Sequence, residues 1–296
     1  MTARGPLPDA LKQGAFGVQD ARELGVPAGR LRSLDLESPF RSVRTHELDW
    51  NDIHEVCSAY AVCLAPDQLF SHVTAARLLG IPLPYRLESR RAIDVWAPQI
   101  QPRGDGVMGH RSAPLPSIVT RGLPVVAPAR VWVQLAPLLD HASLVAAGDS
   151  LVRRKHPLSS LDELTKAVRG AKGVRGVRSL RAALLDVRPG TDSPMESRLR
   201  LLLVSSGLPE PVIGNTIFDS TGGFVGTPDL AYVRQKIAIE YEGDGHRTDP
   251  AVFADDIERR ERMQEAGWYV IRVVKSHVFR QQAWLVDRVR RQLRER

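Results

Sequence analysis

The sequence predicts a two-part α/β (α+β) protein: a winged helix-turn-helix with a small α/β module, then a C-terminal half of helices around a β-hairpin. Three observations predict it. At 296 residues the chain is long enough for about two domains. Apolar residues recur at helical spacing in some stretches and alternate in others, the mark of mixed secondary structure. The run from Phe224 to Glu242 contains two short alternating segments joined by Arg234-Gln235-Lys236, as a hairpin requires.

Taken in order, residues 18–24 read as a short helix, Gly25-Val26 as a turn, and residues 27–34 as a second helix opened by Pro27 at a tolerated first-turn position. Residues 39–45 alternate like a wing strand. Arg30 and Arg32 on the second helix, with Arg41 and Arg44 on the wing, are then the expected nucleic-acid contacts. A plain two-helix corner with solvated arginines fits the same pattern. Helical spacing returns over residues 52–62, 68–79 and 128–151, with a strand over 91–96. His72 has no second ligand at helical spacing and reads as a helix-start or packing histidine.

Residues 155–192 read as a basic helical linker. Ser160-Leu161-Asp162-Glu163 is a capping-box pattern. Lys166, Arg169, Lys172, Arg175, Arg178 and Arg181 follow, interrupted by Gly170, Gly173 and Gly176. The run suits a phosphate backbone and a solvated linker equally. The expected divisions are therefore 1–48, 49–154, 155–192 and 193–296.

The last of these opens with a helix ended by Gly207, and Ser193 to Glu196 is again a capping box. Because strand side chains alternate, Glu240 and Glu242 share one face while Ile237, Ile239 and Tyr241 fill the other. The hairpin turn brings Asp229 to the same end. Three converging acids repel one another, so the arrangement makes most sense around a hard divalent ion. His246 follows in a Gly-rich loop, and a helix from Asp249-Pro250 to Ala266 carries acid-before-base pairs such as Asp255/Arg259 and Asp256/Arg260. A strand over 268–274 and a single helix over 276–294 close the chain. In that helix Phe279, Ala283, Val286 and Val289 face inward, with Arg280, Arg288, Arg291 and Arg294 outside.

Composition points the same way. A formal charge of +7 and a pI near 9.8 favour an acidic partner, of which nucleic acid is the commonest. Cys57 and Cys63, the only cysteines, suit neither a disulfide staple nor a zinc site. Residues 1–14 hold no apolar core of signal-peptide length and no run approaches 18 apolar residues, so a soluble cytoplasmic protein is expected.

Pro228-Asp229, then Glu240-Tyr241-Glu242, Gly243 to His246, Asp256 to Arg259 and Gly267-Trp268 through Val273 resemble, in order, the PD-(D/E)XK nuclease superfamily. The nearest branch is the one related to very-short-patch-repair endonucleases. The resemblance spans about Ser193 to Val278. It implies a restriction-endonuclease-like αβββαβ core with a mixed sheet, and metal-dependent hydrolysis of DNA in repair or in defence against foreign DNA. Carried over residue by residue, Asp229, Glu240 and the Tyr241 carbonyl hold Mg²⁺ or Mn²⁺, Glu196 assists from the first helix, and His246 is the general base. Glu242 stands where most of the superfamily has lysine, and it would position water or a second ion. Arg247, beside His246, joins the expected DNA contacts.

A second, looser resemblance covers about Ala15 to Arg154. Leu69 to Gly80 and Gly122 to Arg130 are similar to antitoxins of the AbiEi kind, which pair a winged helix with such a module. It implies the alternative function, a non-catalytic DNA-binding regulator or antitoxin with a degenerate nuclease fold and a toxin or other protein as partner.

Overall fold

A computed structural model describes residues 6–99, 104–243 and 250–296, without the side chains of 250–257. The chain divides into two units, Met1–Leu138 and Leu139–Arg296.

In the first unit a one-turn 3₁₀ helix, Asp9–Leu11, leads to β1 (Phe16–Gly17) and α1 (Val18–Glu23). The second helix expected over residues 27–34 does not form. Only a 3₁₀ turn, Arg30–Arg32, is present. Gly29, the third of those eight residues, costs about 1 kcal/mol against alanine in a helix, the chain turns extended at Ser33, and Val26 and Leu31 pin the segment into a small core with Phe16 and Ala21. The wing reduces to β2 (Val43–Arg44), antiparallel to β1.

Asp52 accepts hydrogen bonds from the His54 and Glu55 amides and so starts α2 (Ile53–Ala61). The helix expected over 68–79 is a strand followed by a helix: β3 (Leu69–Phe70), then α3 (His72–Leu78). After α4 (Tyr85–Glu88) come β4 (Ile93–Ala97), β5 (Val107–Arg111), β6 (Ser117–Thr120) and β7 (Leu123–Val126), and α5 (Pro128–Leu135) ends the unit. The five strands form a mixed sheet in the order β5-β4-β3-β7-β6. All five residues of β4 are buried, as befits a strand with neighbours on both sides and α3 against it.

The second unit begins with α6 (His141–Leu151), α7 (Leu161–Arg169) and α8 (Val177–Asp186), followed by α9 (Pro194–Ser205). The Ser160–Glu163 capping box closes as expected. Residues 155–192, expected as a basic helical linker, fall within this unit together with residues 139–154. The reason is a buried charge. Arg200 of α9, 1% exposed, reaches Asp149 of α6 at 3.2 Å and the Asp186 carbonyl of α8 at 2.6 Å, which binds three helices to one another.

Next come β8 (Val212–Ile213), a small hairpin of β9 (Ile217–Phe218) and β10 (Phe224–Gly226), then β11 (Leu230–Tyr232), β12 (Ile237–Glu242), α10 (Pro250–Glu265), β13 (Tyr269–Val274), α11 (Lys275–Phe279) and α12 (Gln282–Glu295). The four-stranded sheet runs β13-β12-β11-β8, antiparallel except for β12 and β13. That parallel pair needs a crossover, and α10 supplies it. The single last helix expected over 276–294 breaks at Gln281. Val286 and Val289 are buried as expected, whereas Phe279 and Ala283 are exposed. The protein is thus an α+β chain with a mixed sheet in each unit, and among the described residues no helix is long and apolar enough to cross a membrane.

Candidate functional site

The β11–β12 hairpin sets the site. Leu230 pairs with Ile239 and Tyr232 with Ile237, and a turn from Val233 to Lys236 closes through a 3.1 Å backbone bond. Alternation on β12 then sorts the side chains. Ile237, Ile239 and Tyr241 pack with Leu199, Leu203 and Leu285, while Ala238 faces Met263 and Trp268. Glu240 and Glu242 have the parity of Ala238, so they lie on the side covered by α10.

Asp229 stands one residue before β11. Its carboxylate accepts the Tyr241 amide proton at 2.7 Å. Burial pushes its pKa up, against the pull of the Tyr241 bond and of Arg259 and Arg154; nearby Asp192 pushes it further up. Glu196, on the first turn of α9, is 6% exposed. Its pKa is pushed up to about 7, first by burial and then by the Asp229 carboxylate. Its expected capping box is only half made. Ser193 accepts the Glu196 amide at 3.2 Å, but the Glu196 carboxylate returns to the Asp192 amide at 3.0 Å, one residue earlier than the Ser193 amide that the pattern implies.

Glu240 is 5% exposed, and Arg259 of α10 stands 2.7 Å from its Oε1. Arg260 stands 3.8 Å from its other oxygen and 3.1 Å from Glu242, which also pairs with Arg272 of β13. The acids therefore fall into two groups. The Asp229 charge raises Glu196, and Asp192 and Arg154 act on both, whereas Glu240 and Glu242 sit under the arginines of α10. Arg259 acts on both Asp229 and Glu240. Among the described residues, no three of these acids bring ligand oxygens within 4.8 Å of one another. Asp192, Arg154 and Arg260 were not foreseen. Arg154 lies 75 residues before Asp229 in sequence, and no local pattern links them. His246 and Arg247 lie outside the described residues.

Of the expected nucleic-acid contacts, Arg30 is held by Asp35 through bonds of 3.2 and 2.9 Å. Arg44 donates to the Leu31 and Val43 carbonyls, both at 2.7 Å. These two guanidiniums brace the N-terminal turn, while Arg32 and Arg41 are exposed.

No protein-family model and no solved structure matches the chain. Two uncharacterized proteins of Mycobacterium tuberculosis do: MT2308 of strain CDC 1551 and Rv2248 of strain H37Rv, each 30% identical over 221 residues, covering 74% of this chain and 79% of the relative. The chain belongs to the family of these mycobacterial proteins.

Proposed function

We propose that the second unit is a nuclease that hydrolyses DNA phosphodiester bonds with Mg²⁺ or Mn²⁺, the first unit helping to hold the DNA. The observation that carries this reading is that two buried or nearly buried acids come from separate elements, Asp229 fixed by the Tyr241 amide at 2.7 Å and Glu196 by the Asp192 amide at 3.0 Å, with burial and then the Asp229 charge pushing Glu196 up to about 7. Two acids packed together in a partly desolvated corner are unfavourable unless a cation joins them. The donor set, carboxylates and a backbone carbonyl, suits a hard dication with oxygen ligands. Asp229, Glu240 and the Tyr241 carbonyl would hold it, with Glu196 alongside. Such an ion, when bound, supplies charge stabilisation to the scissile phosphate. The chain's own groups orient the rest. The Tyr241 amide fixes Asp229, the Asp192 amide fixes Glu196, and His246 is the proposed base, a role worth about 10²- to 10⁴-fold.

A second reading, the non-catalytic DNA-binding regulator or antitoxin, is favoured by one specific observation. Glu240 and Glu242 each already face arginines, Arg259, Arg260 and Arg272. In that reading the ion pairs brace α10 on the sheet and no cation is needed.

Supercoiled plasmid incubated with the full chain separates the two. The nuclease reading expects nicking in Mg²⁺ or Mn²⁺ that EDTA abolishes, and an Asp229→Ala variant that still binds DNA but cuts none. Enzymes of this class lower the barrier by roughly 20 kcal/mol, so loss of Asp229 abolishes turnover. Cutting by the variant at the wild-type rate removes the site. An intact plasmid together with Mn²⁺ binding that Asp229→Ala leaves unaltered leaves the regulator reading.

A further inference from the structure

A separate constellation lies in the first unit. His72 opens α3, Asp94 lies on β4 and His110 on β5. They are far apart in sequence and meet because the sheet aligns them. The Ser71 amide bonds the Asp94 carbonyl at 3.0 Å where β3 gives way to α3. On the parallel pair β4–β5, Trp96 is opposite His110, which puts Asp94 and His110 on one face two residues apart. One ligand atom from each of the three side chains lies within 4.8 Å of the other two.

The details are those of a prepared site. Asp94 is 1% exposed. Its Oδ2 is fixed by Arg90 and by the Thr74 amide at 3.3 Å. Its Oδ1 faces His110 Nε2 at 2.8 Å. A buried carboxylate needs no more than that, yet a second imidazole is present. The His72 ring stacks on His110 with centroids 3.6 Å apart and makes no bond to Asp94. The backbone is held under strain to put it there. His72 has φ +47°, a left-handed conformation unusual for a non-glycine residue, and its amide is tied to Gln134 Oε1 at 2.9 Å. Ser71 Oγ lies 3.0 Å from His72 Nδ1. With Nδ1 engaged there, Nε2 is the nitrogen left to ligate, as supporting hydrogen bonds do for metal-binding histidines.

We infer that His72, Asp94 and His110 form a binding site for a divalent transition-metal ion of the Zn²⁺ type, with two imidazole nitrogens and one carboxylate oxygen as ligands and water in the open position. Imidazole donors select such ions over Mg²⁺ and Ca²⁺, which prefer all-oxygen sites. The ion enters between His110 and Asp94. Three metal–ligand bonds form as the hydrated ion sheds as many waters, the His110–Asp94 hydrogen bond is replaced, and the proton on His110 Nε2 passes through solvent to Nδ1, so that no net proton is released. Ligand distances of about 2.0–2.2 Å require the three atoms to draw together modestly and the stacked rings to splay.

The test uses Co²⁺ alone as probe, titrated into the full-length chain after chelator treatment and dialysis. The expected result is about one ion per chain, with the visible absorption of a site containing nitrogen ligands. His72→Gln and His110→Gln each weaken uptake by at least about 100-fold, more than loss of a supporting residue would. Excess Mg²⁺ kept in the titration competes for the proposed all-oxygen nuclease site and not for the histidine site, so the Co²⁺ counted is the ion that His72, Asp94 and His110 hold. Wild-type protein that takes up no Co²⁺, or variants that retain both uptake and absorption, overturn the assignment. His110 is about a quarter exposed and lies on the edge strand β5. His110→Gln is therefore the variant that decides if His72→Gln fails to fold, with circular dichroism as the check.

Discussion

A carboxyl group buried at the start of α9, and under the charge of Asp229, makes stability depend on pH. Glu196 is raised from 4.5 to about 7. Between those values the folded chain keeps a proton that the unfolded chain has released, so stability falls as pH rises through this window. Below it the penalty is absent, and above it the penalty is constant. Glu196→Gln keeps an acceptor for the Asp192 amide and removes the charge. Thermal melts should show the variant matching wild type near pH 4 and more stable by up to about 3 kcal/mol at pH 8. Parallel pH profiles for the two proteins would show that the Glu196 carboxylate is not crowded by Asp229. Saturating Mn²⁺ is expected to shrink the gap at pH 8 if a cation joins the two acids.

Elements were legible where a local pattern forces them. Alternation on β12 correctly assigned Ile237 and Ile239 to one face and Glu240 and Glu242 to the other, and Ser160 with Glu163 marked the start of α7. Where packing decides, local pattern failed. Gly29 and the buried anchors Val26 and Leu31 override the helical spacing of residues 27–34, and α12 turns away from α11 at Gln281. The candidate site was half visible for the same reason. Asp229 and Glu240 sit in one hairpin, but Arg154 and Asp192 reach Asp229 only through the fold. The cluster of His72, Asp94 and His110 in the first unit was invisible, because three separate elements supply its members.

The helix α10 is seated closely on β10. Gly226 of β10 is buried, and a Cβ there would lie 2.7 Å from Met263 Cε and 3.2 Å from Arg259 Cγ. The Met263 methyl can swing aside, whereas the Arg259 stem is anchored by Glu240. Gly226→Val should thus cost about 1–3 kcal/mol through overpacking, read as a lower urea midpoint at unchanged slope. An unaltered midpoint would mean that α10 is not pressed against β10.

At the scale of the whole molecule, the relevant question is where the chain can be cut. The stretch shared with the mycobacterial relatives covers 74% of this chain, more than either unit alone, so the family likeness extends over parts of both. A cut at residue 193, where the resemblance to nucleases begins, would leave α9 with a buried guanidinium and few partners. Arg200 would keep Glu210, at 2.9 Å, and lose both Asp149 and the Asp186 carbonyl. Breaking a buried ion pair by removing one side costs about 3–5 kcal/mol, a large part of the roughly 5–15 kcal/mol that holds a typical domain together. The face of α6 that packs on α9 would be stripped away at the same time. The fragment 139–296 is therefore expected to unfold in one cooperative transition in urea, and 193–296 to show none. A cooperative transition in the shorter fragment would mean that α6 to α8 are an appendage after all, and that Arg200 does not tie the three helices into its core.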